Sequence, residues 1–332
     1  MNIKENCFNF IRLYACINVL LYHIGWFMDV KLPLLDSLVN PINGVPVFFL
    51  ISGFLIWFSI EKTKNFSSFV KKRILRLYPE LWISILIEIF CLLLLYRGAS
   101  IQDYIQMFVL QSTIFPNHTP AVFDSYGMGS LNVSLWTVPI IIQFYIFIWF
   151  LHKWLVRKSA VEWICILFIS IFSAALIDMN FFDFLPNCVN KVIGLSVFAF
   201  LWIFLLGSFA ARYFNYIIPF LSKIWYVSLL LLIINEIYPS PFSIVPYSLS
   251  GVLLLACSIL GIAYKFKQIR IKKDISYPVY LYHMLFVNAA IHIGYRGNWL
   301  AALMVIILTF ILAYLSTLFV EKYINQIKLK LF

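Results

Sequence analysis

Long apolar runs broken by short polar gaps recur along this chain from end to end. A helix needs roughly 20 residues to cross a hydrocarbon core of about 30 Å. The pattern predicts spans at about 8–28, 44–60, 80–96, 132–151, 162–178, 193–211, 217–236, 243–264, 276–294 and 299–320. The expected fold class is therefore an all-α membrane protein, a polytopic bundle of about ten transmembrane helices, taken as one domain over residues 1–332. The first run, Cys7 to Met28, carries Arg12 and is not followed by a small-residue cleavage site, so it reads as a retained helix. The longest gap, about 97–131, opens with Ile101, Tyr104, Ile105, Phe108 and Val109, a moderately amphipathic set suited to the outer interface. No internal repeat, heptad seam or phosphate-binding glycine loop interrupts the pattern, which removes support for ATP-driven transport and dinucleotide chemistry.

Composition strengthens this picture. Of 332 residues, 63% are hydrophobic and 12% charged, whereas soluble domains carry about 25% charged residues. The net charge of +11 would suit nucleic acid on one basic face, but here Lys and Arg fill the gaps between apolar runs. With a cytoplasmic N-terminus, nineteen of them fall inside, among them Lys4, Lys71, Lys72, Arg73, Arg76, Arg157, Lys265, Arg270 and Lys272. Only Lys31, Arg97, Lys191 and Arg296 fall outside, and Arg12 and Lys223 lie within spans. That asymmetry predicts both termini in the cytoplasm. The six cysteines show no metal-ligand spacing, so neither a zinc site nor a disulfide framework is expected.

Ionisable residues within spans are functional candidates. Arg12 and His23 are eleven positions apart, three turns plus roughly 20°, which sets them on one helix face about 16 Å apart. Against this stands the plain alternative that Arg12 snorkels to headgroups while His23 bonds a neighbouring helix. Arg73 and Arg76, at i and i+3 before Pro79, offer two guanidinium forks to a phosphate-bearing ligand or to anionic lipid. Ser52 and Gly53 sit among bulky residues where a helix or ligand chain can approach the backbone. In ISYPVYLYHMLF, Tyr277, Tyr280, Tyr282 and His283 read either as site residues or as an interfacial belt beside a core histidine. Lys223, Glu88 and Glu236 are expected to snorkel from helix ends.

Taken together, these residues resemble the acyltransferase-3 family of bacterial integral membrane O-acyltransferases. The matching features, in family order, are Arg12 and His23, GVPVFFLISGFLI, Arg73 and Arg76 before LYP, SLWTV with a following Gln-Phe-Tyr, and ISYPVYLYHMLF. The resemblance covers essentially the whole chain. It implies transfer of an acyl group, usually acetyl, from cytoplasmic acyl-CoA to a hydroxyl of a cell-surface or lipid-linked glycan, in the bacterial inner membrane and without a metal. Two departures stand out: Ile141 and Ile142 occupy the positions of an acidic pair found in many members, and the chain stops at Phe332, without the esterase-like domain fused to some.

An alcohol needs a base near its hydroxyl to attack a thioester at neutral pH. His23 is the expected base, acting directly or as an acylated relay, with Arg12, Arg73 and Arg76 holding the CoA phosphates at the inner mouth. Ser52, Tyr282 and His283 are expected to contact the pore or acceptor. Expected partners are the bilayer, the glycan acceptor and other envelope-biosynthesis proteins, with no nucleic acid. The rival readings are a polysaccharide or lipid-linked sugar flippase lined by buried Arg and His, and an acyltransferase-like scaffold without activity.

Overall fold

The computed structural model describes residues 2–31, 44–113, 116–238, 247–269, 271 and 273–331. Residues 243–246 of one expected span, and Arg270 and Lys272 of the expected inside charges, lie outside these residues. The described residues form twelve α-helices: α1 (Phe8–Met28), α2 (Gly44–Glu61), α3 (Phe66–Leu95), α4 (Ile101–Gln111), α5 (Thr137–Leu155), α6 (Ala160–Asp178), α7 (Asn187–Gly194), α8 (Val197–Arg212), α9 (Phe214–Ile237), α10 (Leu249–Lys265), α11 (Ser276–His292) and α12 (Trp299–Leu331). No strand occurs among them. Every predicted span coincides with a helix, and eight helical stretches are long and apolar enough to cross a membrane. The other two, α10 and α11, have 17 residues each, at the short end of the spanning range. This is an all-α, multi-pass membrane protein.

The third helix differs from its expected start at residue 80. It begins at Phe66 and runs 30 residues to Leu95 with Pro79 inside. Proline removes one helical donor and leaves the carbonyl four residues earlier without its partner. The amphipathic opening of the long outer segment forms α4. Its apolar residues divide: Tyr104 and Met107 are buried, whereas Ile101, Ile105 and Val109 form an exposed stripe suited to an interface. Hydrogen bonds from the Ser100 hydroxyl and amide to Asp103 fix its start and hold the Asp103 carboxyl below its usual pKa range.

The chain divides into two compact units. The first comprises Met1–Ala15, Asn40–Phe66 and Ile140–Lys272. Its tightest contact joins α2 to α8 through glycines, where a Cβ on Gly53 would lie 1.9 Å from the Phe204 carbonyl oxygen and one on Gly207 2.1 Å from that of Leu50. The Ser208 hydroxyl donates to the Gly53 carbonyl at 3.1 Å. Small residues let the two backbones touch, as expected for helices packed in lipid. Gln143, from the Gln-Phe-Tyr segment, accepts from the Val197 amide at 2.8 Å and so ties α5 to the first turn of α8.

The second unit comprises Cys16–Val39, Ser67–Pro139 and Lys273–Phe332. Leu20, Ile24 and Met28 of α1, Met284, Val287 and Ile291 of α11, and Ala302 and Val305 of α12 form its apolar core. Asp274 starts α11 by accepting from the Ser276 amide and hydroxyl. Glu88 does not snorkel as expected; it is 5% exposed and lies two turns inside α3. The six cysteines are all free thiols.

Candidate active site

The polar cluster of the second unit is built on α11. Helix periodicity carries His283 round to α1 and to the short 3₁₀ turn Val133–Trp136. His283 is fully buried, and its Nδ1 lies 3.2 Å from the Val279 carbonyl. A carbonyl only accepts, so Nδ1 carries the proton and the Nε2 of a neutral His283 carries a lone pair. The Nδ1 of His23 stands 2.8 Å from that Nε2 and must donate to it. The two rings are 5.1 Å apart and 13° from parallel. By elimination His23 keeps its own lone pair on Nε2, and that atom has no hydrogen-bond partner among the described residues. His23 is half-buried, so one imidazole is enclosed and the other is partly exposed.

Ser134 completes the cluster. Its Oγ lies 3.1 Å from His283 Nε2 and 3.4 Å from His23 Nδ1. Tyr280, one turn before His283, donates to the Ser134 carbonyl at 2.6 Å and shares a 2.9 Å hydrogen bond with the Thr137 hydroxyl. Tyr280 is therefore a buried brace and not part of an interfacial belt. Among the described residues no carboxylate contacts the imidazole pair, whose other partners are a carbonyl and a hydroxyl. A proton taken up at His23 Nε2 leaves an imidazolium whose Nδ1–H points at two neutral acceptors, His283 Nε2 and Ser134 Oγ. The cluster is thus able to accept a proton on its exposed side and hold the resulting charge on its buried side.

The other predicted site residues fall elsewhere. Tyr282 is fully buried and donates to Ser316 Oγ at 2.8 Å, and Ser316 in turn donates to Glu80. It is a network member separate from the histidine pair. Arg73 and Arg76 project from α3, with Arg73 over the Phe69 ring at 5.6 Å. Arg76 is exposed and makes no hydrogen bond or ion pair among the described residues. The residue after it, Leu77, accepts from the Tyr277 hydroxyl at 3.2 Å, and His283 follows Tyr277 by six positions, about 9 Å of helical rise. In the first unit, Arg12 donates to Asn9 at 2.6 Å. Ser52, half-buried on α2, makes no hydrogen bond among the described residues, and the close backbone approach beside it belongs to Gly53.

Ser134 and Asn288 are not among the expected site residues, although each left a signal. Ser134 opens the SLW segment, and Asn288 is a lone amide inside an apolar helix, where a polar group must find a partner. Among the described residues no group of three His, Cys, Asp or Glu could hold a metal ion.

The family described as "Acyltransferase domain" matches residues 5–318. The chain belongs to this acyltransferase family. It is 24% identical to nodulation protein 10 of Rhizobium leguminosarum bv. viciae, over 96% of this chain and 92% of that one. It is 26% identical to an O-acetyl transferase of Shigella phage Sf6, over 96% of each. A peptidoglycan O-acetyltransferase of Listeria monocytogenes is 25% identical over 95% of this chain and 55% of its own length. No solved structure matches the chain. The acyltransferase family and these relatives make the protein an enzyme of O-acyl transfer.

Proposed function

We propose that this acyltransferase moves an acetyl group from cytoplasmic acetyl-CoA to a hydroxyl of a cell-surface or lipid-linked glycan, in the bacterial cytoplasmic membrane. The observation that carries this reading is the His23–His283 contact at 2.8 Å, because it leaves one lone pair on the more exposed imidazole. The names of the phage and Listeria relatives suggest the acetyl group, and the latter a glycan acceptor.

In the proposed reaction the acceptor hydroxyl gives its proton to His23 Nε2 as its oxygen bonds to the acyl carbon. The carbon–sulfur bond then breaks, and the imidazolium returns the proton to the leaving thiolate, so that atoms and charge balance. His283 acts behind the base by fixing its tautomer, and Ser134 by accepting from the charged ring. Arg76, exposed and unpaired, is the group that best suits a CoA phosphate, with Arg73 one turn earlier on the same face.

The test is mass spectrometry of envelope glycans from cells carrying the wild-type gene, a deletion or His23→Ala at matched membrane abundance. An acetyl increment that disappears in both the deletion and His23→Ala is expected, with the rate in isolated membranes falling about 10²- to 10⁴-fold, the range for loss of a general base. An increment that survives His23→Ala refutes His23 as the base.

A further inference from the structure

Helix α11 grips the segment that precedes Ser134 at several heights. The carboxamide of Asn288, 1% exposed, accepts from the Met128 amide at 3.0 Å and donates to the carbonyls of Ser130 and Leu131 at 2.9 and 2.6 Å. Both donors and one acceptor lone pair of a single amide are thereby spent on one loop. Gly127 is shaped to this grip. Its φ of +60° is left-handed, and a Cβ there would lie 2.4 Å from Asn288 Oδ1. Below that point Asn132 donates to the Leu281 carbonyl at 2.8 Å, and Tyr280 donates to the Ser134 carbonyl at 2.6 Å. The loop is therefore fastened from Met128 to Ser134 along the same helix that carries His283.

We propose that Asn288 is a positioning residue for acyl transfer, which clamps residues 128–131 so that the Ser134 hydroxyl stands against the His23–His283 pair. The inference rests on the reaction proposed above. A buried amide in a membrane helix needs partners whatever its role; a role in transfer follows from where the clamped loop leads. Three residues beyond Leu131 lies Ser134, itself 1% exposed and within 3.4 Å of both imidazoles. A shift of the loop by an ångström would remove those contacts without touching either histidine.

Asn288→Asp keeps the acceptor for Met128 and loses both donors. Gly127→Ala attacks the same clamp from the loop side. Both variants are assayed in membranes with acetyl-CoA as donor and the cell's own glycan as acceptor, at matched abundance of the full chain. Each is expected to lower the rate at saturating acetyl-CoA about tenfold, with the KM for acetyl-CoA unchanged. In a Ser134→Ala background the further loss from Asn288→Asp is expected to shrink below about twofold, because the clamp acts through that hydroxyl. The rate–pH profile of Asn288→Asp is expected to be displaced from that of wild type, in the same direction as that of Ser134→Ala; if Ser134→Ala leaves no measurable rate, displacement from wild type decides alone. Undiminished loss in the Ser134→Ala background, an unmoved pH profile, or unchanged rates in both clamp variants overturns the proposal. If Asn288→Asp does not accumulate, Gly127→Ala carries the same comparisons. His23→Ala is measured in parallel; activity retained there refutes the base while leaving the coupling of Asn288 to Ser134 to be judged by itself.

Discussion

At the scale of single residues, the catalytic economy of this site lies in how few lone pairs it leaves open. The Val279 carbonyl dictates the tautomer of His283, which dictates that of His23. Ser134, whose hydroxyl can both donate and accept, is able to bond the pair in either charge state. Ser134→Ala should therefore lower the rate about ten- to hundredfold, the worth of one hydrogen bond to a charged group. Activity should fall on acidification, since a base that already holds a proton cannot take another, and Ser134→Ala should displace that fall along the pH axis. Rates at matched abundance across a pH series check both. His23 was legible in the sequence because an ionisable group in an apolar run is conspicuous. His283 was legible as a candidate too, but its pairing with His23 was not, for the two histidines are 260 positions apart and no local pattern records which imidazole meets which. Asn288 and Ser134 were hidden for the opposite reason: small polar residues in spans commonly only pack, and the loop they hold has no periodicity to read.

At the scale of elements, apolar run length located every span, while polarity concealed where α3 begins. Its first turns hold Lys71, Lys72, Arg73 and Arg76, so hydropathy set the start of the span at residue 80, although the helix begins at Phe66 and passes through Pro79. The glycine pairing of α2 and α8 was half legible. Gly53 stood out among bulky neighbours, but its counterpart Gly207 was fixed only by the approach of the two backbones. Gly53→Val should destabilise the folded protein by about 2 kcal/mol or more, since side-chain atoms would enter space held by the Phe204 backbone. A lowered melting temperature in detergent, with Ser52→Ala near wild type, is the expected pattern. Equal losses from the two substitutions would move the tight contact away from Gly53.

At the scale of the molecule, the asymmetry of Lys and Arg proposes both termini in the cytoplasm and the segment between α6 and α8 on the outer side. Cys188, exposed and free on α7, reports on that segment. A membrane-impermeant maleimide added to intact cells should label it, and Cys188→Ser should remove the signal; labelling only after lysis would invert the topology. The length of α3 carries a consequence of another kind. Thirty residues make a rod of about 45 Å, some 15 Å more than a typical hydrocarbon core, and the surplus falls at the end that bears Arg73 and Arg76. The depth of the bilayer thus sets how far the guanidinium groups stand from the lipid headgroups. Under the proposed assignment of these two arginines to the CoA donor, the KM for acetyl-CoA is expected to rise in membranes of longer acyl chains, where the rod sinks and anionic lipid competes for them.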